Sequence, residues 1–138
     1  MKYALSIIAL LFPTLFLSAA DVFVSFTENE RTALKLTGTA DTIVYDKNDW
    51  NGVKIAIGNL KKDLRAVTGS DRAPIIVGTV GRSRIASEYK SISRLLKGKW
   101  EQYIITVRNG KLIILGSDKR GTIYGIYELS KQIGVSPW

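Results

Sequence analysis

Chemistry in this chain has to come from a short list of side chains. The sequence contains no His and no Cys. That removes histidine-dependent triads, histidine or thiolate metal sites, disulfides and thiol nucleophiles. Carboxylates, Lys, Arg, Tyr and hydroxyls remain, and they are densest in Gly116-Ser117-Asp118-Lys119-Arg120-Gly121-Thr122-Ile123-Tyr124-Gly125. Here a strand feeds through a glycine-flanked turn into the start of a helix, where free N–H groups and the helix dipole can bind an anion. The spacing fits neither a phosphate-binding loop, which needs a Gly-Lys-Ser/Thr triplet, nor the dinucleotide glycine pattern. Asp118 reads most simply as the helix N-cap. Gly121 and Gly125 share one helical face and would let another element approach closely. Tyr124 and Tyr127 read as core or interface aromatics rather than ligand platforms.

Acid–base chemistry by paired carboxylates needs two of them about 5–10 Å apart in a cleft. The candidates are Asp118 with Glu101 or Glu128. Asp118 opens the last helix and Glu128 lies about 15 Å along it by helical rise, too far for joint action. Glu101 precedes a hairpin and could face either way. Catalysis by this chain alone is not expected, so no residue is assigned as catalytic, cofactor-binding or metal-binding, and no cofactor is implied.

The elements that must position these residues follow from patterning. Val22-Phe23-Val24-Ser25-Phe26 reads as a short strand, with weaker strands at Ala33 to Leu36 and Thr42 to Asp46. Val53, Ile57, Leu60, Leu64 and Val67 recur at helical spacing, with Asp49 able to cap the helix and Gly69 able to stop it. Gly58 within it is expected to mark close packing. Pro74-Ile75-Ile76-Val77-Gly78 is a continuous apolar run, as in a strand covered on both faces. A second helix runs from a Ser83 cap to Gly98, with Ile85, Tyr89, Ile92 and Leu96 on one side. Tyr103–Val107 and Lys111–Leu115 flank Asn109-Gly110, the strongest short-range hairpin signal. The last helix spans Lys119 to Ile133. The order β-β-β-α-β-α-β-β-α argues an α/β fold, α+β-like, with one mixed sheet in a single small domain.

The N-terminus reads as a removable leader over 1–20. Lys2 precedes the apolar stretch Ala4 to Leu17, and Ser18-Ala19-Ala20 offers small residues for cleavage. The folded domain then covers 21–138, exported to the periplasm or beyond, with no stable membrane anchor once the leader is removed. The 138 residues carry 20 Lys+Arg against 12 Asp+Glu, a formal charge of +8. The basic residues are scattered, without the aromatic interleaving of single-strand nucleic-acid binders. They read as a solvated surface, with attraction to an acidic polysaccharide as the alternative.

The stretch Gly116 to Tyr127 with Ser130, followed by Gly134-Val135-Ser136-Pro137-Trp138, resembles the junction sequence of glycoside hydrolase family 115, the xylan α-1,2-glucuronidases. Gly98-Lys99-Trp100-Glu101 and the Val67-Thr68-Gly69 helix stop are also similar to that family's pattern. More loosely, a Gly-x-Asp-x-x-Gly-x-x-Tyr-Gly pattern after a hairpin resembles the small N-terminal domain of β-hexosaminidases and of the other α-glucuronidase family. The resemblance implies that a catalytic barrel of the same longer chain follows this domain and holds the catalytic carboxylates. It also implies that Asp118, Arg120, Gly121, Tyr124, Gly125 and Trp138 lie at the domain junction, and it makes glucuronoxylan a candidate ligand. A chain stopping after Ser136-Pro137-Trp138 reads as a fragment of that protein. The competing expectation is a stand-alone module for an acidic polysaccharide, using Trp50, Trp100 and Tyr103.

Overall fold

A computed structural model describes residues 5–8, 22–27 and 32–135. Ser136-Pro137-Trp138 and most of the leader segment lie outside the described residues. The elements in chain order are β1 (Ser6–Ile8), β2 (Val24–Ser25), β3 (Thr32–Lys35), β4 (Val44–Tyr45), α1 (Asn51–Thr68), β5 (Ile75–Thr79), α2 (Arg84–Glu88), α3 (Lys90–Leu96), β6 (Tyr103–Arg108), β7 (Lys111–Gly116) and α4 (Lys119–Gln132).

The mixed α/β class is as expected, but the strands form two sheets rather than one. The larger has order β4-β5-β7-β6, with β4, β5 and β7 parallel and β6 antiparallel to β7. The smaller is antiparallel with order β2-β1-β3. Its central strand lies inside the stretch that reads as a leader, and β2 is shorter than the apolar run Val22–Phe26 suggested. Strand β4 is likewise only Val44–Tyr45, because Asp46 begins a hydrogen-bonded loop.

Strand β7 shows why this sequence makes a three-layered unit. Leu112 and Ile114 join the main core with Val53, Ile57, Leu60 and Leu64 of α1 and Ile126 and Leu129 of α4. Alternate residues Ile113 and Leu115 point into a second cluster with Ala86, Ile92, Leu96 and Ile104. A strand buried on both faces has no place for polar residues, which is why the segment reads as unbroken aliphatic sequence. The hairpin forms as predicted. Asn109 and Gly110 take φ of 50° and 70°, the left-handed pair that a type I′ turn needs.

Three local expectations are corrected. The helix predicted over 83–98 breaks at Tyr89 (φ −101°, ψ 60°), and the two pieces bury Ala86, Ile92 and Leu96. Gly58 faces open space, whereas a Cβ on Gly52 would lie 3.2 Å from Ile123 Cδ1, so Gly52 marks the close α1–α4 approach. Asp49 does not cap α1; the N-cap is Trp50, without a side-chain hydrogen bond.

Candidate functional site

The parallel strands β4, β5 and β7 end at Tyr45, Thr79 and Gly116. Helices α1 and α4 therefore start at the same end of the sheet, the end where open α/β sheets place ligands. A cleft of about 410 Å³ opens there between Trp50, Thr79–Arg82, Asp118 and Lys119.

Three aspartates organise this end, each accepting backbone N–H groups from two places in the chain. Asp46 accepts from Asn48 N at 2.9 Å and from Arg84 N at 2.7 Å, tying the loop after β4 to the start of α2. Asp49, buried, accepts from Trp50 N at 2.7 Å and from Thr79 N at 3.1 Å, tying the same loop to the end of β5. Asp118 accepts from Gly121 N at 2.8 Å as the cap of α4 and from Glu101 N at 2.9 Å, tying α4 to the entry of β6. The N–H groups of Asn48 and Arg84, aided by the charges of Arg84 and Arg82, hold the Asp46 carboxyl below its ordinary value. Desolvation pushes Asp118 upward. The N–H groups of Glu101, Gly121 and Arg120, with the Arg120 charge, outweigh it, so its carboxyl also sits low. Carboxylates held ionised by backbone donors are anchors, poorly suited to shuttling protons.

Gly121 and Gly125 do the packing work that their spacing suggested. A Cβ on Gly121 would collide with the Gln102 carbonyl oxygen, and one on Gly125 would come within 2.9 Å of Ile114 Cγ2 and 3.2 Å of Tyr103 Cβ. Gly116 is equally constrained, because its Cβ would collide with Thr122 N. Ser117 N donates to Gln102 O at 2.8 Å and Gln102 N donates to Ser117 Oγ at 3.0 Å, so the junction is closed from both sides. Beneath it, the Thr79 and Thr122 hydroxyls pair at 2.8 Å in a fully buried link between β5 and α4.

The structure thus brings Asp118, Arg120 and Gly121 together with Glu101. The Arg120 guanidinium meets the Glu101 carboxylate at 2.8 Å, and that hydrogen bond, followed by the Glu101 charge, raises the arginine's affinity for its proton. Glu101 has φ 52°, a left-handed conformation uncommon for a residue with a side chain. Its N–H to Asp118 and its carboxylate to Arg120 hold it there. Glu128 instead accepts from Gln132 Nε2 at 3.0 Å on the far part of α4. Glu128 is thus set apart with Gln132, while Glu101 and Asp118 lie together at the start of α4, joined by the Glu101 N–H and by Arg120.

Tyr124 is 45% exposed and borders a second groove of about 860 Å³, with Tyr103, Ile123 and Tyr127 of the same face and Asn59 and Asp63 of α1. Asn59 Nδ2 donates to Tyr127 Oη at 3.0 Å across it. Burial, and then the charge of Glu128, raises the Tyr103 pKa and keeps its phenol neutral. Trp138 lies outside the described residues. Trp100 is 84% exposed, and Trp50 is 42% exposed with the Arg82 guanidinium 4.4 Å from its ring centre. Sequence reading missed the roles of Asp46 and Thr79. The available signal was two aspartates three apart directly after a strand, a place where side chains commonly take up loop N–H groups.

An α/β sheet whose end-loops are clasped by aspartates, with both flanking helices starting there, defines a compact scaffold domain. Residues 28–129 match the model of the glycosyl hydrolase family 67 N-terminus, and the chain belongs to that family. Among solved structures it is similar to BtGH115A, described as a family GH115 4-O-methyl-α-glucuronidase with specificity for decorated arabinogalactans. The two align at 33% identity with a TM-score of 0.67, over 75% of this chain and 14% of that one. The expected resemblance to family 115 is met by this structural relative, while the family model that matches is that of family 67. The chain spans about 14% of the length of that relative. No curated protein matches.

Proposed function

We propose that this chain is the non-catalytic N-terminal domain of an exported α-glucuronidase that removes (4-O-methyl)glucuronic acid from xylan, and that it supports a catalytic domain of the same polypeptide. The observation that carries this reading is the engagement of Asp46, Asp49 and Asp118 by backbone N–H groups at the one end of the sheet where a ligand would sit. Chemistry then falls to residues elsewhere, in keeping with a relative of which this domain corresponds to 14%. The domain's contribution is positional: it covers apolar surface of its neighbour and fixes where the chain enters it. Export rests on the leader pattern of Lys2, Ala4–Leu17 and Ser18-Ala19-Ala20. Deleting 21–135 from the longer polypeptide is expected to lower its melting temperature and its release of glucuronic acid together. An equally stable and equally active truncated enzyme would refute the proposal.

A second reading, a binding surface for an acidic polysaccharide, draws on the exposed Trp100 and on Arg82 stacked on Trp50 beside Lys119. Its signature is salt-sensitive retardation in gels containing glucuronoxylan, abolished by Trp50→Ala. Unchanged mobility removes it.

A further inference from the structure

At the carboxyl end of the larger sheet, Arg82 is held in place but left with donors to spare. Its Nε donates to Asn48 O at 2.8 Å, and its guanidinium lies over the Trp50 ring, 4.4 Å from the ring centre. The hydrogen bond anchors one end of the group, and the aromatic contact fixes the rest. The two terminal nitrogens have no hydrogen-bond partner and no ion pair among the described residues. A guanidinium held this way is a rigid fork, shaped to receive both oxygens of a planar oxyanion at once. Because the fork is already ordered, little side-chain freedom is lost when a ligand takes it.

Two clefts meet at this pair. One, of about 410 Å³, reaches from Trp50 and Arg82 to Asp118 and Lys119. The other, of about 400 Å³, reaches from the same two residues to Lys47 and Lys54. Each has room for one small ligand. Lys54 Nζ is taken by Lys47 O at 3.1 Å, whereas the ammonium groups of Lys47 and Lys119 have no partner among the described residues. Positive charge therefore flanks the fork on both sides.

The acidic residues of the clefts set what kind of anion fits. Asp118 and Asp49 border them, and both carboxylates are engaged by backbone N–H groups, with no ion pair to Arg82. Their charges oppose a doubly charged phosphate more strongly than a singly charged carboxylate. Each Asp118 oxygen accepts one N–H and keeps a lone pair that can take a hydroxyl. The exposed part of Trp50 offers apolar surface to the C–H groups of a ring. A compact ring bearing one carboxylate and several hydroxyls meets all three conditions.

We propose that Arg82, Trp50, Asp118 and Lys119 form a binding site for a uronic acid. The carboxylate takes the arginine fork, a ring hydroxyl donates to Asp118, and Lys119 closes the far side. This rests on the second reading, of a surface for acidic polysaccharide, and narrows that surface to one side-chain fork with a defined partner group.

A nuclear magnetic resonance titration of the full chain tests the site, read at Arg82 Nε–H and at the backbone amides of Gly81 and Lys119. Sodium glucuronate is expected to shift these signals saturably in the millimolar range, while glucose at the same concentration leaves them in place. Arg82→Lys keeps the charge and removes the fork, and is expected to weaken glucuronate binding at least about tenfold. Arg82 is exposed, so the fold does not depend on it, and unmoved signals of β5 and β7 verify that. Equal binding by Arg82→Lys overturns the proposal, because charge alone then suffices. Sodium phosphate acting at the same signals as strongly as glucuronate overturns it, because the site then takes any oxyanion. Glucuronate without effect overturns it outright. Gels containing glucuronoxylan separate this result from the broader reading. Salt-sensitive retardation without glucuronate shifts removes the fork site and leaves the surface, whereas shifts without retardation remove the surface and leave the fork site.

Discussion

The two sheets are held in opposite ways. At the carboxyl end of the larger sheet, the main order comes from neighbouring loops of one continuous domain. Asp46, Asp49 and Asp118 take up N–H groups from α2, β5, α4 and the entry of β6. The smaller sheet borrows its central strand from residues 6–8, far from the rest of the domain in sequence and inside a leader pattern. The first arrangement fixes loop geometry at a place where many α/β proteins bind ligands, with Asp46, Asp49 and Asp118 each engaged by backbone N–H groups. The second makes the smaller sheet depend on pairing with a strand distant in sequence.

Substitutions can sharpen that contrast. The largest effect is expected at Gly121→Ala, which drives a methyl group into the Gln102 carbonyl between two fixed elements. Overpacking against backbone of this kind costs about 3 kcal/mol, read as a lowered urea midpoint with unchanged slope. A midpoint within error of the unmodified chain would mean that α4 and β6 are not locked together. Asp118→Ala removes both a helix cap and the acceptor for Glu101 N, and is expected to cost about 1–2 kcal/mol, with Asp118→Asn retaining most of it. At the smaller sheet the sign reverses. In the unprocessed chain Ser6→Ala removes a buried hydroxyl without a partner among the described residues, and should raise stability by about 1 kcal/mol.

Acid dependence distinguishes the clasped end too. The folded pKa values of Asp46 and Asp118 lie below their unfolded ones, so their contribution is present above the unfolded value of about 3.9. It is lost as pH falls through the lower, folded values. A thermal-melt series from pH 6 to pH 2 should show the steep loss below pH 4, and Asp118→Asn should flatten it. An unchanged acid limb in Asp118→Asn would mean that the Asp118 clasp adds nothing to folding. The smallest effect is expected from Glu101→Gln, which breaks only the exposed pair with Arg120 and should leave the melting temperature within error.

Much of the larger sheet was legible because local signals and tertiary demands agree there. Asn109-Gly110 allows one turn type, the aliphatic run of β7 suits burial on both faces, and Asp118 caps where a cap was needed. The glycines of α4 were legible as a face, though not what they face. Gly58 and Gly52 show that limit, since both sit in α1 and only the position of Ile123 tells them apart. The second sheet was not legible, because Leu5 and Ile7 satisfy a leader pattern and a buried strand equally well, and pairing across distant sequence leaves no local trace. The Asp49–Thr79 bond is missed for the same reason: its partners are thirty residues apart.

The most direct measurement takes the longer polypeptide carrying Glu101→Gln and Asp118→Ala together and follows glucuronic acid release from glucuronoxylan beside its thermal melt. If these carboxylates hold loops, kcat stays within about twofold while the melting temperature falls by a few degrees. A kcat reduced about a hundredfold or more, the loss typical of a missing general acid or base, at an unchanged melting temperature would place them in the chemistry instead.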